Sequence, residues 1–130
     1  MLTDAINIKD AFVINFQLEF EITCFKNYNN AEVLLNCISE LQSYFNIDKW
    51  QINQPISISE VSNLIGGVAG VQTLENIMFN NVHGTSSGYS QYKYGFDRAT
   101  SKGVIYPSLD PSIFELKFPN TDINGRVITY

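Results

Sequence analysis

Charge is scarce in this chain of 130 residues: Asp, Glu, Lys and Arg together make up 16% of it. The net charge is −5, and the eight basic residues are scattered. No Lys/Arg patch is available to track a phosphate backbone or an anionic membrane surface. The sequence therefore predicts neither a nucleic-acid nor a membrane partner. No apolar run approaches the ~20 residues of a membrane-spanning helix. Soft metal ligands are few, with one histidine and two cysteines. Cys24 and Cys37 cannot make a disulfide framework. Each falls on an apolar position, where a reduced cysteine acts as a small hydrophobe. Asp97, Asp110 and Asp122 stand too far apart for a calcium loop. No metal and no cofactor is predicted. Residues 1–7 lack the basic start and apolar core of a secretory leader, which points to synthesis in a reducing cytoplasm.

Aromatic rings, in contrast, are plentiful: nine phenylalanines, seven tyrosines and one tryptophan. With 45% apolar residues, that is the composition of a folded domain with a dense core or large faces buried against other subunits. The length fits one domain.

Residues 12–24 alternate strictly, with Phe16, Leu18, Phe20 and Ile22 on one face and Gln17, Glu19 and Glu21 on the other. Period two means a strand with one apolar and one polar side, hence a sheet covered on one side only. Asn29 or Asn30 can cap a helix, and Val33, Leu34, Cys37, Ile38, Leu41, Tyr44 and Phe45 then recur as one helical stripe. Trp50-Gln51-Ile52 is a candidate short strand. Ser57 or Ser59 opens a second helix that Gly66-Gly67 ends in the left-handed conformation. A second long strand runs over 71–79. Residues 80–103, rich in Gly, Ser, Asn and Tyr, read as a long loop, which in a compact domain is functional or mobile. Residues 112–118 alternate like a strand with no evident place in the compact unit. Asn124-Gly125 signals a turn, and 126–130 a closing strand.

The expected fold is thus α+β: a two-layer sandwich of a mixed sheet with two helices on one face, plus a long loop and a C-terminal strand extension. Residues 1–79 form the core, and residues 80–130 form the loop and extension of the same domain. Phe16, Leu18, Phe20, Val33, Leu34, Ile38 and Leu41 should be nearly buried.

Gly84-Thr85-Ser86-Ser87-Gly88 matches the Gly-x-Ser-x-Gly elbow of serine hydrolases. No helical stripe follows it, and the one histidine, His83, precedes it, whereas the triad histidine of that fold comes last. A flexible Gly/Ser loop is the simpler reading. Glu19 and Glu21 share a sheet face, the minimum for acid–base work, but nothing predicts a pocket above them. Gly66-Gly67-Val68-Ala69-Gly70 lacks the Lys-Ser/Thr ending of a phosphate loop. Tyr89, Tyr92, Tyr94, Phe96 and Tyr106 stand where few apolar neighbours are predicted, as interface or sugar-binding rings do. With Phe114 and Phe118 of the C-terminal strand, they form the expected interface.

Two stretches carry a family resemblance. The first is Pro55-Ile56-Ser57-Ile58-Ser59-Glu60-Val61, followed by Ile65 and Val68-Ala69-Gly70-Val71. It is similar to the Ser-Glu-Val/Ile helix and Val-x-Gly-Val strand entry of baseplate J-like proteins. The second is Tyr94-Gly95-Phe96-Asp97-Arg98-Ala99-Thr100, then residues 103–115, Phe118-Pro119-Asn120-Thr121-Asp122-Ile123 and Gly125-Arg126-Val127. It resembles the C-terminal part of T-even-type phage baseplate wedge proteins. Together they cover residues 55–127. The resemblance implies a structural protein of a contractile tail, located in the virion and assembled in the host cytoplasm. It also implies that the chain is the last part of a longer protein. The implied partners are a second copy, in a homodimer, and other baseplate wedge proteins, in a ring around the tail tube. The family brings no catalytic residues, so no enzyme activity is expected. A tail-tip module binding glycan through the tyrosine-rich loop is the alternative, and a small hydrolase using Ser86 and His83 a more distant one.

Overall fold

The alternation over 12–24 produces one long central strand, β1 (Phe12–Cys24). The computed structural model describes residues 12–108 and 111–129. The leader reading of residues 1–7, Asp110 as a calcium ligand and the last residue of the expected closing strand, Tyr130, lie outside the described residues. Ile14, Phe16, Leu18, Phe20 and Ile22 are buried to a residue, while Glu19 on the other face is exposed.

The first helix, α1 (Asn30–Tyr44), starts where the side chain of Asn29 accepts a bond from the Glu32 N–H at 3.1 Å. It buries Val33, Cys37 and Leu41; Leu34 and Ile38, expected to be nearly buried, are only half covered because they flank the stripe. Trp50 does not start a strand. Residues 51–54 turn back, with Gln54 Oε1 accepting from the Gln51 N–H at 2.9 Å, and the indole packs into the core beside Tyr44 and Phe45. The short strand β2 comes later, at Ile56–Ser57.

Ser57 caps α2 (Ile58–Gly66), its hydroxyl accepting from the Glu60 N–H. Gly67 closes that helix in a right-handed conformation (φ −85°), not the expected left-handed one. The left-handed residue is Gly70 (φ +97°), where a Cβ would lie 2.6 Å from a Val33 methyl. The strand β3 (Val71–Asn81) follows.

β1 sits at the centre of a four-stranded mixed sheet. It pairs antiparallel with β3 on one side. On its other side it pairs parallel with two short strands in succession. Phe12–Asn15 of β1 meet β6 (Ser112–Glu115), and Leu18–Ile22 meet β7 (Ile123–Val127). The C-terminal stretch therefore has a place inside the sheet. Asn124-Gly125 is no turn: Gly125 lies within β7 because a Cβ there would run into Phe20 and Leu34. α1 packs on β7, α2 on β3, and the helices touch each other, completing a two-layer α+β architecture.

The stretch expected as one long loop has local structure. It contains a 3-10 turn (Thr85–Ser87), a one-turn helix α3 (Phe96–Ala99) and strand β4 (Thr100–Ser101), and strand β5 (Val104–Ile105) follows it. β5 joins β2 and β4 in a second, three-stranded sheet. Two-residue strands leave too short an alternation to see in a sequence. Among the described residues, no helix is long and apolar enough to cross a membrane.

Candidate assembly surface

The loop after β3 is held against the polar side of the sheet by one buried amide, Asn15. Its Oδ1 accepts from the Ser90 N–H at 2.6 Å, and its Nδ2 donates to Glu115 Oε1 at 2.7 Å. Its carbonyl accepts from the Val82 N–H at 3.0 Å and from Asn81 Nδ2 at 2.9 Å. Asn81 in turn accepts the Tyr94 N–H at 2.9 Å. Gly84 closes the turn on itself, its N–H bonded to the Ser90 carbonyl and its carbonyl to the Tyr89 N–H.

The expected interface rings divide into three groups. Phe96 and Phe114 belong to the chain's own core: they are buried, and their rings pack edge-on at 5.6 Å. They have no surface to offer a partner, which corrects their assignment to the interface. The reason is that β6 takes its place beside β1, so Phe114 joins Phe16 in the apolar layer.

Tyr89, Tyr92 and Tyr94 are half-buried and engaged within the chain. The Tyr89 hydroxyl donates to Asp122 Oδ1 at 2.8 Å. Tyr92 stacks on Phe12 at 4.9 Å, and the Tyr94 hydroxyl donates to the Tyr106 carbonyl at 2.6 Å. Burial pushes the phenols of Tyr89 and Tyr94 above their ordinary pKa. The Asp122 carboxylate adds to the rise at Tyr89, and Tyr92 adds to that at Tyr94.

Tyr106 and Phe118 remain at the surface, 49% and 38% exposed, and Phe12 joins them at 47%. Phe118 packs against Tyr89 at 5.3 Å. Phe12 was missed because it continues the apolar alternation of β1. Only the structure shows it exposed. Asn15 and Asp122, which hold the loop, gave no signal either, since polar residues in a strand's alternation and in a connection look ordinary.

The polar face of the sheet carries an ion pair between Glu21 and Arg126, so Glu21 is engaged and not poised as an acid–base partner of Glu19. Ser86 and His83 are both exposed, and among the described residues no hydrogen bond joins them. Ser86 lies in a single 3-10 turn followed by Gly88 and loop, not at a strand–helix junction. Both cysteines are free thiols. Among the described residues, no three His, Cys, Asp or Glu side chains gather as metal ligands. An open groove of about 820 Å³ lies between the end of β1 and the start of α1, with Lys26 and Glu75 as its charged lining. Neither a known protein family nor a curated protein matches the chain.

Proposed function

We propose that the chain is an assembly domain of a contractile-tail baseplate wedge, joining a second copy of itself and other wedge proteins in the virion. The observation that carries the reading is the set of surface rings. Phe12, Tyr106 and Phe118 are large, apolar and exposed, yet Phe12 and Phe118 pack on Tyr92 and Tyr89, and the Tyr106 backbone is bonded to Tyr94. Phe12 and Phe118, held by ring contacts before association, lose little conformational freedom on binding, and aromatic anchors of this kind dominate interface energy. The motif stretches over residues 55–127 supply the identity of the assembly, and the acidic, patch-free surface supports a protein partner over nucleic acid.

The test is incorporation. Tagged wild-type chain should co-sediment with tail-assembly intermediates from an infected host. A Tyr106→Ala, Phe118→Ala variant should be incorporated at least tenfold less while melting at the same temperature. Equal incorporation of both chains, or none of the wild type, contradicts the reading.

A further inference from the structure

We infer that residues 76–80 of β3 form the seam of a homodimer, pairing antiparallel with the same strand of a second copy about a twofold axis at Met78. This rests on the homodimer reading above and names its surface. β3 pairs with β1 on one side, and among the described residues no strand pairs with the other. A long open edge recruits another chain unless something blocks it.

The first half of β3 is blocked. Bulges at Gln72 and Glu75 break its regularity. α2 packs on the face of β3, so it is the bulges that interrupt the edge over residues 71–75. The last residue, Asn81, is occupied by Asn15 and Tyr94. Residues 76–80 remain, regular and without a charged side chain.

This stretch is complementary to itself in one register. Across a twofold axis in an antiparallel pair, facing residues are equidistant from the axis and share a sheet face. With the axis at Met78, Ile77 faces Phe79 on the core side and Asn76 faces Asn80 on the polar side. Moving the axis one residue either way sets Ile77 against Asn81 or Phe79 against Glu75, an apolar side chain against a polar one. Pairing also covers Met78, which is 47% exposed in the middle of the strand. The two four-stranded sheets become one of eight strands. Phe12 and Phe118 lie on the β6 side of β1, away from this seam, and stay open to other proteins.

Two variants test the seam. Met78→Lys puts two like charges face to face at the axis. Within its own chain the new side chain faces Glu19, so the monomer is not burdened. Met78→Cys, made with Cys24→Ala, sets two thiols opposite each other at an antiparallel Cα spacing within disulfide reach. The wild type should sediment as a dimer, Met78→Lys should associate at least tenfold more weakly while keeping the wild type's far-UV circular dichroism, and Met78→Cys should cross-link on oxidation where Gln72→Cys does not. If Met78→Lys fails to fold, the cross-link alone decides. A wild-type dimer with neither effect overturns the seam and leaves the homodimer standing. A wild type that is monomeric at high concentration overturns both.

Discussion

Leu41 is wholly buried on the α1 stripe, in an interior packed as densely as an organic crystal. Leu41→Ala should cost roughly 2–5 kcal/mol in urea unfolding, whereas Leu35→Ala, at a side chain 66% exposed on the same helix, should stay within ~0.5 kcal/mol. Gly125→Ala drives a methyl into Phe20 and Leu34 and should cost about 1–3 kcal/mol. The buried Cys37 thiol is pushed up to about 11, first by burial and then by the neighbouring Cys24. Cys24 is raised by burial as well. A group whose folded pKa is raised holds its proton more tightly when folded. Its contribution is complete below the ordinary thiol value of 9.0 and disappears as the pH rises through about 11. Tyr44, Tyr89 and Tyr94, all raised by burial, act in the same direction from about pH 10 upward. The urea midpoint should therefore fall steadily above about pH 9, and Cys37→Ala should flatten the first part of that fall. A midpoint that rises over this range contradicts the assignment.

At the scale of elements, the loop over 84–94 is tied to the sheet by hydrogen bonds from Asn15, Asn81 and Asp122. Asn15→Ala leaves the Ser90 N–H without its acceptor and should cost about 1–3 kcal/mol. Tyr89→Phe takes away the donor to the Asp122 carboxylate, whose second oxygen has none among the described residues, at a similar cost. Amide exchange over 84–94 should speed up in both variants and stay slow in the wild type; equal rates in all three would show that neither contact holds the loop. β1, α1 and α2 were legible in the sequence because each is long enough for its period to repeat, and β3 was legible although its two bulges break the alternation. The side-chain caps at Asn29 and Ser57 were legible because only a few residue types accept a backbone N–H there. β6 and β7 were harder. Their partner is β1, about 100 residues away in sequence, and alternation shows that a strand exists but not what it pairs with. That is why Phe114 looked like an interface ring. The tyrosines of the loop misled for a related reason, since the neighbours that half-bury them, Phe12, Phe118 and Asp122, are also distant in sequence.

At the scale of the whole molecule, a helical layer covers one side of the sheet, and polar residues with a pinned loop cover the other. The large apolar side chains that remain exposed are Phe12, Phe25, Tyr28, Leu35, Met78, Tyr106 and Phe118. The central claim is that this surface works inside a contractile-tail baseplate, and the most direct measurement is where the chain sits in an intact particle. Antibody raised against the purified chain, viewed by electron microscopy on contractile-tailed particles from a culture that produces the chain, should label the baseplate end in a ring. Label on the sheath or capsid, or none on particles that contain the protein by mass spectrometry of disrupted tails, would contradict the account.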